Sequence, residues 1–342
     1  MTIRVGILGA GAMGAEHAWV LGRMAGVEVR RVFSRDPARA AAAAREAGAE
    51  AVVDPSAVID DPEIDAVDVC LPTPAHAPFV LAALRAGRHV FCETPLAVDL
   101  AEARRMRGAA RKAGRLLQVG LLMRSIAASQ LVKTLAETGE HGRLIHVSTQ
   151  RLGSYLRAGG ADHRPHYSDP TTELMTFDLD FLGWLFGRPT AVSAVAAGEQ
   201  RGESAALLAF PGDRSASVLA SGIMPAAHPF TAGFRAVFER AAVESRTVID
   251  ASGVSSNTRL LLDDAALEPP LPASNPYELE LERFVACIRG EADPALLDVD
   301  RAIEALELSL AIQRSIRIGR AVRVSRASGP QERAMPRAVS AT

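Results

Sequence analysis

The chain has 342 residues, which is enough for two domains of ordinary size. Hydrophobic residues make up 48% of it and the formal net charge is −2, so a large core can form and no polycationic surface points to nucleic acid or anionic lipid. We therefore expect a small-molecule partner, and neither a nucleic-acid partner nor a membrane partner.

Three cysteines, Cys70, Cys92 and Cys287, are spread along the chain without paired spacing. Cys70 and Cys92 lie in apolar, strand-like runs, which indicates buried packing rather than disulfide formation. The first residues have the pattern of a strand, not of a basic region followed by an apolar stretch, so the sequence predicts no signal peptide. No uninterrupted apolar run approaches membrane-spanning length. Together these features predict a cytoplasmic protein.

The first predicted element is an apolar strand over residues 3–8 that leads into a Gly-x-Gly-x-x-Gly turn and then an Ala-rich segment. This is the order of a strand, a tight turn and a helix N-terminus. Gly9 permits the turn, Gly11 lets a pyrophosphate approach the backbone, and Gly14 lets the helix pack close to the strand. Free backbone N–H groups at the helix start then face the phosphates. The predicted cofactor-binding residues of this turn are Gly9, Gly11, Ala12 and Met13.

Strand and helix patterns alternate along the first ~120 residues, which requires a parallel sheet. Asp36 with Pro37 has the pattern of a helix start, and Gly48 that of its end. The further predicted elements are strands over 27–34, 66–71, 90–92 and 116–119 and helices over 77–85 and 99–113.

The pattern changes in the second part of the chain. A helix over 131–138 is followed by strand-like runs that are separated by turn residues without long intervening helices, which favours an antiparallel sheet. Two helices return near the end, beginning at Asn275 and Asp298. The predicted strands are 144–149, 192–196, 205–210, 216–221, 236–240, 247–250 and 259–262. The predicted domains are 1–122 and 123–324, with a tail over 325–342 that we expect to be disordered.

Four segments resemble the Gfo/Idh/MocA family, which includes glucose–fructose oxidoreductase and inositol dehydrogenase. They are GAGAMG, LPTPAHAPFVLAALRAGRHVFCETPLA, TFDLDFLGWLFGRP, and YELELERFVACIRG together with LSLAIQRSIRIGRAVRV. The resemblance implies an α/β Rossmann domain followed by an α+β domain with a large, mostly antiparallel open sheet. It also implies oxidation or reduction of sugars, polyols and related alcohols with a nicotinamide cofactor, in a homodimer or homotetramer formed through that sheet.

The end of the second strand faces the adenosine ribose in this fold, and an acidic residue there favours NAD. This chain has Ser34 and Arg35, a hydroxyl and a guanidinium that suit a 2′-phosphate. The sequence therefore predicts NADP as the cofactor, with NAD as the alternative. The competing interpretation of Arg35 is a solvated charge in a loop. The resemblance further implies cofactor contacts for Leu71, Pro72, Thr73, His76 and Glu93. A purely local hydrogen bond is the other interpretation of His76.

Two motifs of the family are altered in this chain. The family's Glu-Lys-Pro supplies a lysine that contacts substrate and nicotinamide, and this chain has Glu93-Thr94-Pro95. The family's second motif is Asp-x-x-x-His-x-x-Asp, and its three fixed positions align with Glu173, Phe177 and Asp180. Phenylalanine therefore replaces the acid/base histidine. Neither threonine nor phenylalanine is a base near neutral pH, whereas Glu173 keeps a carboxylate. We assign Asp178 to a helix cap or the surface.

Two histidines and a tyrosine in residues 162–167 carry donors that suit proton transfer, although a polar, solvated loop is the alternative. Positive charge from Arg124, Arg151 and Arg164 favours an anionic or carboxylated substrate. No standard zinc spacing links the loop histidines to Glu173, so no metal is predicted. The predicted catalytic residues are Tyr167, His166, Glu173 and Thr94, and the predicted substrate-binding residues are Arg124, His163 and Phe177.

Three functions stay open on these grounds. The preferred one is an NADP-dependent oxidoreductase with an altered acid/base set, acting on a sugar, polyol, carbonyl or imine. The second is an enzyme of elimination or hydrolysis that keeps a tightly bound nicotinamide. The third is a catalytically silent NADP(H)-binding protein, because loss of both usual proton-transfer residues is what decay of an active site produces.

Overall fold

A parallel sheet of six strands occupies the N-terminal part of the computed structural model, which describes residues 1–156 and 169–324. Its strands are β1 (Ile3–Leu8), β2 (Val27–Phe33), β3 (Glu50–Val52), β4 (Ala66–Val69), β5 (His89–Cys92) and β6 (Leu117–Val119). Their order in the sheet is β3-β2-β1-β4-β5-β6. The strand order reverses between β1 and β4, and dinucleotides bind at such a switch point, outside the carboxyl ends of the strands.

Five helices connect these strands: α1 (Ala12–Leu21), α2 (Pro37–Ala47), α3 (Ser56–Ile59), α4 (His76–Arg85) and α5 (Leu100–Ala113). The predicted start of α2 is confirmed, since the Asp36 carboxylate accepts hydrogen bonds from the amides of Ala38 and Arg39. The predicted parallel sheet and its long helices are confirmed with bounds within two residues. β3 and α3 were not predicted, because three or four residues are too few to show a periodic pattern.

A second sheet of nine strands follows. Its strands are β7 (Leu144–Leu152), β8 (Ala191–Ala197), β9 (Glu203–Phe210), β10 (Arg214–Ser221), β11 (Phe230–Phe238), β12 (Ala242–Asp250), β13 (Gly253–Leu261), β14 (Ala266–Leu267) and β15 (Val322–Arg323). They lie in the order β14-β13-β12-β11-β7-β10-β9-β8-β15, and every pair except β7 with β10 is antiparallel. The predicted mostly antiparallel sheet is confirmed. The predicted bounds of β11, β12 and β13 are five or six residues short at the N-terminal end, because polar residues interrupt the apolar pattern on these strands.

Five further helices pack on the two sheets. They are α6 (Ala127–Thr138), α7 (Pro170–Glu173), α8 (Met175–Phe186), α9 (Pro276–Arg289) and α10 (Val299–Ile318). α9 lies late in the sequence but packs on the first sheet, with the Phe284 ring 5.5 Å from the Phe91 ring. α10 belongs to both cores, since Ile303 is buried in the first and Ile312 in the second. The C-terminal helices therefore hold the two parts of the fold in contact.

One face of the second sheet carries buried side chains and the other is open. Along β9 the side chains alternate, so that Leu208 is buried while Leu207 is 63% exposed. Val195 on the neighbouring β8 is 70% exposed. Within residues 1–156 and 169–324, none of the helices combines the length and the apolar character that crossing a bilayer requires.

Candidate dinucleotide and catalytic site

The glycine-rich turn between β1 and α1 leaves space for a ligand at the edge of the first sheet. Gly9 has a φ of +115°, and a Cβ there would collide with the carbonyl oxygen of Cys70. A Cβ on Gly14 would collide with the Gly9 carbonyl, so helix and strand lie as close as a glycine allows. A Cβ on Gly11 would meet no atom within 4 Å. Open space in front of the uncapped N-terminus of α1 therefore fits a pyrophosphate.

Ser34 and Arg35 stand directly after β2. The Ser34 hydroxyl accepts a hydrogen bond of 3.1 Å from the Asp36 amide, so it orders the start of α2. Arg35 is exposed and forms no ion pair with any described residue. Asp36, the nearest acidic residue, is occupied by the helix cap. A guanidinium is thus available at the position that faces the adenosine ribose, without a competing free carboxylate beside it.

His76 holds the loop after β4 in place. The ring is buried, with Nε2 2.6 Å from the carbonyl oxygen of Leu71 and Nδ1 3.3 Å from that of Leu96. Burial lowers the pKa of His76, so the ring is neutral and donates one of these bonds. The geometry therefore gives His76 the local interpretation considered above. Pro72 and Leu71 are half-buried and Thr73 is buried; contact of this loop with a cofactor stays a prediction.

The Glu93-Thr94-Pro95 turn keeps its backbone form without a lysine. The Thr94–Pro95 peptide bond is cis. The Thr94 hydroxyl donates a 2.8 Å hydrogen bond to the carbonyl oxygen of Gly120, and the Thr94 amide donates to the Glu93 carboxylate at 3.0 Å. Because the hydroxyl proton is already donated to the backbone, Thr94 can only accept a hydrogen bond from a substrate. Its predicted catalytic role therefore stays a prediction, and the geometry gives it a structural one.

Two arginines predicted to add positive charge are each paired with an aspartate of α8. Arg124 donates to both oxygens of Asp180, at 2.9 and 2.7 Å, and both side chains are buried. The Nε of Arg151 donates to Asp178 at 3.1 Å. Burial raises the pKa of both aspartates, and the paired guanidinium opposes that rise in each case. Our assignment of Asp178 to a cap or the surface is wrong, because its side chain is buried and ion-paired.

Phe177, at the position of the family's histidine, lies beneath a cation. The guanidinium carbon of Arg151 is 4.7 Å from the centre of the Phe177 ring, within the range of a cation–π contact. The aromatic ring is half-buried on α8. Its predicted contact with substrate stays a prediction, and so does that of Arg124, whose Nε and Nη2 are both occupied by Asp180.

Glu173 is the acid/base candidate that the described structure places best. It ends α7, and the fold brings it near Thr73 in the loop after β4, whose hydroxyl opposes the rise in the pKa of Glu173. Burial, reinforced by the negative charge of Asp169, raises the pKa of Glu173 to about 7. Its Oε2 atom is buried and has no hydrogen-bond partner among the described residues. A carboxyl group with a pKa near neutrality can either accept or donate a proton under physiological conditions.

Several predicted residues lie outside the described residues. Tyr167, His166 and His163 belong to residues 157–168, and so does Arg164, so their predicted roles stay predictions. The tail over 325–342 is also outside the described residues.

The sequence analysis missed a buried ionisable cluster beneath the Glu93 turn. His17 on α1 lies between Asp68 on β4 and Glu93, with Glu280 of α9 close by. One signal was present in the sequence. Asp68 interrupts an otherwise apolar run, Ala66-Val67-Asp68-Val69, and a carboxylate in a buried strand requires a partner. The identity of that partner depends on contacts 51 residues apart.

Comparisons with known proteins agree with this geometry. Residues 3–121 match the family model described as "Oxidoreductase family, NAD-binding Rossmann fold". Inositol 2-dehydrogenase 2 of Saccharopolyspora erythraea is 37% identical over 191 residues, which are 55% of this chain and 55% of that protein. The match thus spans about half the length of that relative. 1,5-Anhydro-D-fructose reductase of Ensifer adhaerens is 29% identical over 321 residues, 90% of this chain and 95% of that protein.

A solved structure shows the same fold over nearly the whole chain. Levoglucosan dehydrogenase in complex with NADH superposes with a TM-score of 0.79 and 21% identity, covering 95% of this chain and 100% of that one. The fold and the glycine-rich turn define a dinucleotide-binding protein with a second, sheet-bearing part. The family model covers residues 3–121, about a third of the chain, and over these residues the chain is similar to the Gfo/Idh/MocA oxidoreductases.

We predict that Glu173→Gln stabilises the fold at alkaline pH. The folded-state pKa of about 7 lies above the ordinary value of 4.5, so the fold favours the protonated carboxyl. That contribution is complete below pH 4.5 and is lost as the pH rises through 7, by an amount on the order of 3 kcal/mol at pH 8. Glutamine is neutral at every pH. The variant should therefore unfold at higher urea concentration than the wild type at pH 8, and at a similar one at pH 4.5.

The matched control is Glu291→Gln, which removes an exposed carboxylate that forms no ion pair with a described residue. Urea unfolding followed by circular dichroism at both pH values gives the comparison. A Glu173→Gln variant that is no more stable than the wild type at pH 8 would contradict the raised pKa.

Proposed function

We propose that this protein is an NAD(P)-dependent oxidoreductase that exchanges a hydride between a nicotinamide cofactor and an alcohol or carbonyl carbon of a sugar- or polyol-like molecule. The observation that carries the proposal is Glu173, a buried carboxyl with a pKa of about 7, near Thr73 of the loop at the dinucleotide edge of the sheet. The names of the relatives, inositol dehydrogenase and anhydrofructose reductase, support the substrate class.

Glu173 suits either direction of this reaction. The nicotinamide, when bound, accepts or supplies the hydride. In oxidation, the ionised Glu173 accepts the hydroxyl proton as the hydride leaves the carbon; in reduction, the protonated Glu173 returns a proton to the oxygen. Of the three altered motif positions, Thr94, Glu173 and Phe177, only Glu173 can carry a proton near neutral pH. Tyr167 and His166 stay as proposed helpers.

We propose a neutral substrate rather than an anionic one. The expectation of an anionic substrate used the charges of Arg124, Arg151 and Arg164. The first two are buried in ion pairs with Asp180 and Asp178, so each pair has no net charge. Only Arg164, outside the described residues, is left to support it. Uncharged hydroxyl groups therefore match the described part of the site better.

We propose NADP as the preferred cofactor. Arg35 is exposed and unpaired among the described residues at the end of β2, and the Asp36 carboxylate is committed to the cap of α2. A 2′-phosphate placed here would meet a guanidinium, which binds phosphate with two parallel hydrogen bonds. NAD lacks this phosphate and would gain nothing from Arg35.

We propose that the open face of the second sheet forms a homo-oligomer interface. Val195 and Leu207 are the most exposed large apolar side chains of β8 and β9. The strand register pairs Val195 with Ala205 and Ser193 with Leu207, so the two apolar side chains are diagonal neighbours on the same face. Exposed apolar area on the face of a sheet is typical of an association surface.

We also propose a reducing compartment such as the cytoplasm. All three cysteines are free thiols. Burial raises the pKa of Cys92 and of Cys287, which keeps both thiols protonated and unreactive. Unpaired thiols are typical of proteins that stay in reducing surroundings.

The pH dependence of turnover tests the role of Glu173. With inositol, levoglucosan and 1,5-anhydro-D-fructose as probes, kcat/KM for oxidation should rise tenfold per pH unit and level off above about pH 7. Reduction should show the opposite slope. Glu173→Gln should lower kcat by about 10²–10⁴ and abolish the slope, whereas Glu291→Gln should change neither. Full turnover in Glu173→Gln would disprove the role, and no turnover of any probe by the wild type would contradict the proposed function.

Cofactor preference tests the role of Arg35. Arg35→Ala should weaken NADPH binding about 10- to 100-fold, the loss of one bidentate phosphate contact, and leave NADH binding unchanged. Arg45→Ala is the matched control, because Arg45 is an exposed arginine in the last turn of α2 and forms no ion pair with a described residue. Fluorescence titration with each reduced cofactor measures both affinities. Tighter binding of NADH than NADPH by the wild type would refute the NADP assignment.

Light scattering after size exclusion tests the interface. The double substitution Val195→Glu and Leu207→Glu should convert an oligomer into a monomer, because buried like charges on both copies would have to be desolvated. Val98→Glu, at an apolar side chain that is 45% exposed away from the sheet, should leave the mass unchanged. A monomeric wild type, or a double variant that keeps its mass, would contradict the proposal.

A further inference from the structure

A buried imidazole joins the phosphate-binding helix to the Glu93 turn. His17 lies on α1, one turn after Gly14, and its side chain is fully buried. Nδ1 forms a 2.9 Å hydrogen bond with the Asp68 carboxylate at the end of β4. Nε2 is 3.0 Å from Oε1 of Glu93 after β5, an ion-pair contact in which the two atoms are not aligned for a hydrogen bond. The Cys70 sulfur lies 3.3 Å from Nδ1. One ring therefore contacts groups at the ends of two neighbouring strands, β4 and β5.

The protonation of this cluster follows from its charge. Asp68, Glu93 and Glu280 bring three carboxyl groups to one imidazole, and within the described residues no lysine or arginine forms an ion pair with them. Burying several unpaired anions is prohibitively costly, so the cluster must hold protons. Burial alone lowers the pKa of His17, but Cys70 and Asp68 raise it well above its ordinary value. Burial, together with Glu93, raises the pKa of Glu280.

The surroundings of His17 therefore favour its protonated ring, and those of Glu280 favour its neutral carboxyl. Both Glu280 carboxyl oxygens are buried and lack hydrogen-bond partners among the described residues. One Glu280 oxygen, one Glu93 oxygen and a ring nitrogen of His17 all lie within 4.8 Å of one another. Aromatic rings confine the imidazole, with Phe91 at 5.8 Å and Tyr277 at 6.1 Å between ring centres.

Glu93 in turn shapes the edge of the sheet where the far end of a dinucleotide would lie. The adenosine half of a dinucleotide would lie at the end of β2, and β4 and β5 lie on the other side of β1. A dinucleotide that crosses the switch point therefore places its nicotinamide half over β4 and β5. The second Glu93 oxygen accepts the Thr94 amide at 3.0 Å and would be 3.2 Å from a Cβ on Gly120. The carboxylate thus sits tightly between the turn and β6.

We propose that His17 and Glu280 are positioning residues that fix the Glu93 carboxylate, and through it the Glu93–Pro95 turn, against the nicotinamide half of the bound cofactor. This rests on the proposed function only in requiring a nicotinamide dinucleotide as ligand, and it requires no substrate. Because His17 stands on the helix that faces the pyrophosphate, the same ring sets the spacing between the two halves of the cofactor site.

Two substitutions of His17 separate its two contacts. The amide nitrogen of asparagine falls near the position of Nδ1, so His17→Asn keeps the Asp68 contact and loses Glu93. The amide nitrogen of glutamine falls near Nε2, so His17→Gln keeps the Glu93 contact and loses Asp68. We expect His17→Asn to weaken NADPH or NADH binding at least tenfold and His17→Gln less than threefold. ADP-ribose, which lacks the nicotinamide, should bind both variants as it binds the wild type.

A merely structural role would lower the melting temperature of both variants without separating the ligands. Equal losses in the two variants, or a matching loss for ADP-ribose, would therefore overturn the proposal. If the wild-type protein binds neither dinucleotide, both the proposed function and the positioning role are contradicted. If the wild type binds a dinucleotide and both His17 variants bind it equally well, only the positioning role is contradicted.

Two further measurements do not depend on the folding of the His17 variants. Glu280→Gln imitates the neutral acid and should keep cofactor affinity within twofold, whereas Glu280→Leu should lose it by tenfold or more. Nitrogen-15 NMR of the wild type should show the His17 ring with both nitrogens protonated at pH 8. A neutral ring, or a ring whose Nε2 signal moves on addition of Zn²⁺ to the purified protein, would replace the proton-bearing cluster with another arrangement and overturn the proposal.

Discussion

A charge that is buried away from water must be paired or neutralised, and this constraint places the parts of the site. In the first sheet, His17 lies between Asp68 and Glu93. In the second part of the fold, Arg124 with Asp180 fixes α8 to the segment that joins the two sheets. Each pair joins segments at least 51 residues apart in sequence, so forming the pairs and assembling the site are one event.

Glu173 is the exception to this pattern, and the exception is what makes it useful. Asp180 is equally buried, but a guanidinium grips both of its oxygens. Glu173 has a second acid, Asp169, as its charged neighbour and only a hydroxyl, that of Thr73, as a described partner. Its charge is therefore poorly compensated, and its pKa is about 7. Both carboxyl groups are buried, but their partners differ. Asp180 is held as an anion by a guanidinium, whereas Glu173 has no cationic partner among the described residues and can exchange a proton.

The sequence was sufficient for the features that depend on local chemistry. The glycine-rich turn, the Asp36 cap and the alternation of strands and helices need only neighbouring residues, and the structure confirms them. Contacts across the chain were not accessible in the same way. The residues next to Arg124 and Asp178 in the sequence do not indicate that each forms a buried ion pair. The residues next to His17 in the sequence do not indicate that three carboxyl groups surround it. α9 packs on the first sheet although it follows the second in sequence.

The stability of the site bears on the choice between an altered enzyme and a silent binding protein. An ionised Glu173 costs the fold on the order of 3 kcal/mol at pH 8, a large share of the ~5–15 kcal/mol that holds a domain together. One substitution to glutamine would remove that cost while keeping the shape and hydrogen-bonding capacity of the side chain. A binding protein with no proton to move gains nothing from such a group. A destabilising carboxyl beside a dinucleotide loop is instead typical of an active site, where a group needed for catalysis lowers the stability of the fold.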